Sequence, residues 1–195
     1  MSEDKKRIVL IGGGGHCLSV IDVVEQQGKY NILGILDSNP NVKTLLGYPV
    51  LGGDELIPEM ASQGVFFLIT VGQIKSVELR KKIANILDKN NAQLAKVISP
   101  LSYVSKHAKI KDGTIIMHHA LVNAMAKVGK HCIINSKADI EHGVVIEDFC
   151  HISTAAVVNG DAKVGKETFI GSNAVLAQSI EVKSNSVIGA GTFVK

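Results

Sequence analysis

Tryptophan is absent from the 195 residues, and aromatic side chains make up only 4% of them. There are three cysteines, Cys17, Cys132 and Cys150, widely spaced and with no CxxC pair. That excludes a disulfide framework and a cysteine-based metal knuckle, and it fits a reducing, cytoplasmic setting. Twenty-one Lys and Arg against 18 Asp and Glu leave a formal charge of only +3, too little to mark a nucleic-acid surface. No apolar run is long enough to span a membrane, and the polar start lacks the apolar stretch of a signal peptide. All four prolines, Pro40, Pro49, Pro58 and Pro100, fall in the first hundred residues. That asymmetry divides the chain near Ser99-Pro100, into domains at 1–100 and 101–195.

The first part alternates strand and helix signals. Arg7–Ile11, Asn31–Leu36 and Val65–Val71 read as buried strands, with Lys96–Ile98 as a short last one. Cys17–Gln27 carries Leu18, Ile21 and Val24 at helical spacing, and Val77–Leu87 does so with Leu79, Ile83, Ile86 and Leu87. This is the pattern of βαβ units on a parallel sheet, a small Rossmann-like α/β domain. Gly12–Gly15 and His16 stand between the first strand and the first helix, where backbone N–H groups and the helix N-terminus favour a phosphate. The dinucleotide fingerprint fails at its third glycine, where Cys17 stands, so a nicotinamide cofactor is not expected. Asp37 ends the second strand, the place from which such folds present an acid to a ribose.

The second part has a different grammar. From Val104 to Val194 every sixth residue is Ile, Val or Leu, sixteen positions without a slip. At one chance in three per site this arises by accident about once in ten million to a hundred million trials. Two residues before each stands Ser, Ala, Thr or Cys, except at Val144 and Ile180. Six residues make one short strand and one corner, and three such units close a triangular coil, about five coils in all. The aliphatic residue fills the prism and the small one fits where strands crowd. Gly or Asn often follows the aliphatic residue, as at Asn123, Gly129, Asn135, Asn159, Gly165 and Gly171. They are expected to take the positive φ of the corners. Cys132 and Cys150 occupy the small-residue slot and need no catalytic explanation.

Several segments together carry a resemblance: I-G-G-G-G-H after strand one, L-D after strand two, then I-T-V-G, then I-E-H-G-V-V-I-E-D-F-C-H-I-S among the hexads. The chain resembles the sialic-acid O-acetyltransferase (NeuD) family of hexapeptide-repeat acyltransferases, close to the bacterial UDP-4-amino-sugar and perosamine N-acetyltransferases. The resemblance implies an all-β left-handed parallel β-helix after the α/β domain, an exception to right-handed crossovers. It implies a cytoplasmic homotrimer that takes acetyl-CoA and a nucleotide-linked amino-sugar for surface glycan synthesis. The nucleotide sugar would be held by Gly14, Gly15, His16, Asp37, Ser38 and Gly72. His142 would be the general base of a direct transfer, as a near-neutral imidazole suits. Acetyl-CoA would meet His151, Gly160, Ser172 and Ala190. Members usually carry an acid directly after the histidine, whereas this chain has Gly143.

Two other readings stand beside this one. O-acetylation of a sialic-acid-like sugar asks for a stronger base, which Gly143 disfavours. A non-catalytic nucleotide-sugar-binding homologue is favoured slightly by Gly143 and by the end of the chain at Lys195, directly after Val194. Metal is not expected. The zinc-binding hexapeptide class needs two histidines five residues apart, and the spacings from His107 through His118, His119, His131 and His142 to His151 contain no such pair.

Overall fold

The structure is a computed structural model that describes residues 5–39, 41, 43–74 and 76–195. Pro40 and the polar start at residues 1–4 lie outside the described residues. The chain forms two compact units, one of Met1–Gly72 with Glu78–Ala95, the other of Gln73–Val77 with Lys96–Lys195.

The first unit contains β1 (Lys6–Ile11), α1 (Gly15–Gln27), β2 (Tyr30–Leu36), β3 (Thr44–Leu45), β4 (Tyr48–Gly52), α2 (Ile57–Ser62), β5 (Phe66–Ile69), α3 (Glu78–Lys89) and β6 (Gln93–Leu94). The sheet order is β3-β4-β2-β1-β5-β6, parallel except for the β3–β4 hairpin. β1 is central, and Ile8 to Ile11 are fully buried, as expected of a strand covered on both faces. Chain order reverses across β1, with β2 on one side and β5 on the other. The loops after β1 and β5 therefore meet at a topological switch point, where such sheets bind ligands.

Both main helices sit rotated from the faces read in the sequence. α1 buries Cys17, Val20, Ile21, Val23 and Val24 and leaves Leu18 exposed. α3 buries Arg80, Ile83, Ala84 and Leu87, with Leu79 exposed. The cause in α3 is Arg80, whose Nη1 donates to the carbonyls of Ile69 at 3.2 Å and Val71 at 2.6 Å. These bonds hold a cation inside and turn Leu79 out.

The second unit is a left-handed parallel β-helix. Two-residue strands recur every six residues from Val97–Ile98 to Phe193–Val194, in three sheets of six, six and five strands. Register is kept coil to coil at eighteen residues, as in Ile116, Ile134, Ile152, Ile170 and Ile188. The Lys96–Ile98 strand assigned above to the first domain belongs here, since Val97–Ile98 pairs with Ile115–Ile116. Ile98 is one more hexad step before Val104. The core is one stack of these aliphatic residues with the small slots between, including Cys132 and Cys150. Each fully buried aliphatic side chain contributes about 1.5–3 kcal/mol.

The corner expectation needs correcting. Positive φ falls three residues after the aliphatic residue, not one, at every sixth position from Gly113 to Gly191. Side chains such as Met125, His131, Phe149 and Asp161 occupy it. The position directly after the aliphatic residue is a place of close stacking. A Cβ on Gly171 would lie 2.5 Å from the backbone N of Ala190, one coil on. Asparagine there instead bonds the next coil, as Asn159 Nδ2 does to the Leu176 carbonyl at 2.7 Å.

Candidate active site

In the first unit the turn after β1 is fixed by contact. Gly12 has φ +104°, and a Cβ there would stand 2.5 Å from Val71 Cγ2 in the loop after β5. Thr70 ties the same loops, its Oγ1 donating to the carbonyl of Gly12 at 2.7 Å. Asp37 is committed to the turn: Oδ2 accepts from Gly13 N–H at 2.5 Å and Oδ1 from Asn39 N–H at 2.7 Å. Gly14 precedes α1 in extended conformation, and Gly14 and Gly15 are exposed, with nothing near a Cβ at either. Their amides are the ones an anion could reach. His16 is half-buried on the first turn of α1, its Cβ 4.0 Å from the place a Cβ on Gly72 would take. Asp37 and Ser38 line a cleft of about 290 Å³ together with Gly12, Glu55 and Val71. The six residues expected at the nucleotide thus gather at the carboxyl edge of the sheet. Burial, with the Asp37 charge adding to it and a hydrogen bond with Thr70 opposing it, pushes the Cys17 thiol up.

In the β-helix His142 occupies the corner between strands Asp139–Ile140 and Val145–Ile146 and is exposed. Neither ring nitrogen is hydrogen-bonded among the described residues. Its ring lies over Gly160 of the next coil, so close that a Cβ there would come 2.6 Å from Cε1 and 2.7 Å from Nε2. Glu141, left undirected by sequence, is held at the corner: Oε2 accepts from Asn123 Nδ2 at 2.8 Å and from the His142 N–H at 3.1 Å.

Of the residues expected at acetyl-CoA, Gly160 shares that corner, and His151, Ser172 and Ala190 do not. Ser172 and Ala190 stack on the corner that follows strands Phe169–Ile170 and Val187–Ile188, one coil apart. Ser172 Oγ is 3.0 Å from Ser153 Oγ. Gly171 packs there against the backbone of Gly189 and Ala190, one coil on. His151 is buried on a sheet face of this unit. Its Nδ1 lies 2.5 Å from the Gln73 carbonyl oxygen, Nε2 lies 3.2 Å from Asn135 Nδ2, and the ring meets Phe169 edge-on. The bond to the carbonyl puts the proton on Nδ1.

Elsewhere, His131 is buried and stacks on Phe149, and His118 Nδ1 lies 2.6 Å from Ser99 Oγ. The neighbouring Cys132 thiol and then burial push the Cys150 thiol above its usual range. Among the described residues no group of three His, Cys, Asp or Glu is placed to hold a metal. A cleft of about 480 Å³ lies on the sheet of Lys109, Lys127 and Val145. It holds no imidazole, and its acids are spent on backbone, Glu147 on Lys166 N–H and Asp148 on Lys130 N–H.

Residues 7–87 match the family model of the PglD N-terminal domain, and residues 162–195 match that of the hexapeptide repeat of succinyl-transferase. The chain joins a PglD-type domain to a hexapeptide-repeat solenoid. This bears out the resemblance read from the motifs. The chain is similar to UDP-N-acetylbacillosamine N-acetyltransferase of Bacillus subtilis, 31% identical over 116 residues. That match spans 57% of this chain and only about half, 51%, of the relative. Among solved structures, it is similar to a histidine-to-asparagine mutant of perosamine N-acetyltransferase from Caulobacter crescentus in complex with CoA and GDP-perosamine. That likeness has a TM-score of 0.90 and 28% identity, over 96% of this chain and 88% of that one. It is similar also to the acetyltransferase domain of PglB from Neisseria gonorrhoeae in complex with acetyl coenzyme A, with a TM-score of 0.90 and 27% identity, over 97% and 93%. Within the PglD-type domain, Thr70 and Arg80 are the residues that sequence reasoning left without a role. Thr70 stood in the quoted I-T-V-G run, but nothing in the pattern marked Arg80. No helix among the described residues is long and apolar enough to cross a membrane.

Proposed function

We propose that this chain is an acetyl-CoA-dependent N-acetyltransferase acting on a nucleotide-linked amino-sugar of the UDP-4-amino-sugar type, in bacterial surface glycan synthesis. The observation that carries this is His142, an exposed imidazole with no hydrogen bond to its ring nitrogens among the described residues, seated over a bare glycine on a hexapeptide corner. Relatives that share the fold bind CoA or acetyl coenzyme A, and one of them GDP-perosamine.

The amides of Gly14 and Gly15 receive a phosphate of the nucleotide, helped by the dipole of α1. Asp37 keeps the turn in shape, with Ser38, His16 and Gly72 at its rim. Acetyl-CoA supplies a thioester carbon, and the amide C–N bond forms as the C–S bond breaks and the thiolate departs. The proton leaving the amine passes to the imidazole of His142. The coenzyme's arm lies along the corner of Ser172 and Ala190, with His151 on the adjoining sheet face, and Gly160 stands on the corner of His142. Since His142 and Ser172 occupy different corners of one prism, a site using both is completed by a neighbouring copy, as in a homotrimer.

The test is thiol release from acetyl-CoA against UDP-, GDP- and dTDP-linked amino-sugars and a free sialic acid. A UDP-4-amino-sugar is expected to be the best acceptor, and His142→Ala should lower its turnover at least about a hundredfold. Preference for sialic acid would move the assignment to O-acetylation. Nucleotide-sugar binding without any acetyl transfer would make the protein a binding homologue.

A further inference from the structure

Gly143 follows His142 at a left-handed corner, φ +70°. The space its side chain would take is filled from the next coil: the Asp161 carboxylate oxygen Oδ1 packs directly on Gly143. Asp161 lies eighteen residues on, itself left-handed at φ 59°, and its N–H donates to the His142 carbonyl at 2.9 Å. Two adjacent residues thus frame His142–Gly143. Gly160 sits under the imidazole, and Asp161 puts a carboxylate on the α-carbon next to it. The other acid nearby, Glu141, is bound to Asn123 and to backbone. Asp161 has no such bond, and it is not hydrogen-bonded to the imidazole among the described residues.

We infer that Asp161 is a positioning residue for the base, supplying from the neighbouring coil a carboxylate beside His142 that the glycine at 143 leaves room for. A histidine that accepts a proton becomes a cation, and a fixed negative charge nearby stabilises it as it forms. The backbone bond from Asp161 to the His142 carbonyl fixes the distance between them. The inference rests on the reading of His142 as the base, and the experiment separates the two.

The experiment moves the carboxylate. Asp161→Gly suits a left-handed position, and it clears the space above residue 143, where Asp and Asn tolerate positive φ. Turnover is followed as thiol release from acetyl-CoA with a UDP-4-amino-sugar acceptor. Asp161→Gly is expected to lower kcat about tenfold while KM for both substrates stays within about twofold. Adding Gly143→Asp to Asp161→Gly should restore kcat to within about threefold of the parent, whereas adding Gly143→Asn should restore nothing. Equal rescue by Asp and Asn, or no loss in Asp161→Gly, overturns the inference. If Asp161→Gly melts early, Asp161→Asn, which keeps the shape, carries the same expected loss. Full activity in His142→Ala would sink the base assignment itself. Loss there with none at Asp161 would sink only this inference.

Discussion

The imidazole of His142 and the α-carbon of Gly160 are stacked one coil apart, with no room between them for a methyl group: a Cβ at 160 would reach within 2.6 Å of Cε1. The register of the solenoid makes this pair, because residues eighteen apart stand above one another. Gly160 was expected at the coenzyme, and its packing also seats the imidazole of His142.

Gly160→Ala should therefore separate stability from turnover. Gly160 does not have positive φ, so alanine is free of backbone strain. The group that must yield is the end of an exposed side chain, so stability should change by about 1 kcal/mol or less. The displaced ring should lower kcat by about tenfold or more, since misplacing a base by an ångström is costly. Denaturant melts and turnover on the same preparation check both. A normal kcat would show that the seat is not needed.

Asp139 carries a prediction of opposite sign. It stands on the outer face of a sheet between Leu121 and Val157, and its buried Oδ1 has no hydrogen-bond partner among the described residues. Desolvation, then the charge of Glu141, push its carboxyl above the usual value. A carboxyl with a raised folded pKa stabilises the fold below its unfolded value and loses that contribution as pH rises through the folded one. At neutral pH its charge is thus a burden. Asp139→Asn should raise Tm at pH 7, and the gain should vanish below about pH 4, where the unfolded carboxyl is itself protonated. Calorimetry at both pH values decides it.

The parts of the fold that sequence revealed are those with a period. The hexads from Val104 to Val194 announce coil, core and small-residue slot together, because one side chain per rung must fill the prism. The places it concealed are those set by unlike partners. Leu46 and Gly47 both have positive φ and make the tight turn between β3 and β4, but a leucine in the first place hides a turn that Asn-Gly would declare. The left-handed corners are equally silent, since Met125 or Phe149 is no signal of positive φ. At the candidate site, His142 was legible from its motif. Its seat on Gly160 and the carboxylate of Asp161 were not, because both depend on stacking across eighteen residues.

Arg80 gives a stability prediction that burial alone would not. Its guanidinium is fully buried and donates to the last carbonyls of the β5 segment. Arg80→Met keeps volume and apolar stem but leaves those carbonyls without their charged donor, at a cost of about 2–3 kcal/mol. The loop of Val71 and Gly72 should loosen with it, so a UDP-sugar should bind more weakly. Hydrogen exchange at Thr70 N–H, bonded to the Ile11 carbonyl at 2.8 Å, should quicken well beyond exchange in the β-helix. Unchanged protection there would show that Arg80 does not hold the loop.

Gly12→Ala tests the meeting of the two loops more sharply. Alanine at φ +104° is strained wherever it stands, and its methyl would enter Val71, 2.5 Å from Cγ2 and 3.0 Å from the backbone N. Backbone strain and overpacking each cost about 1–3 kcal/mol, so the PglD-type domain should lose about 3 kcal/mol or more. The β-helix has its own core and should melt as before, giving two transitions where separate probes report on the two units. Val71→Ala in the Gly12→Ala background removes the Cγ2 clash but not the positive φ, so it should recover only part of the loss. Full recovery would mean that φ at Gly12 carries no cost, and no recovery would mean that the contact with Val71 is not what fixes glycine there.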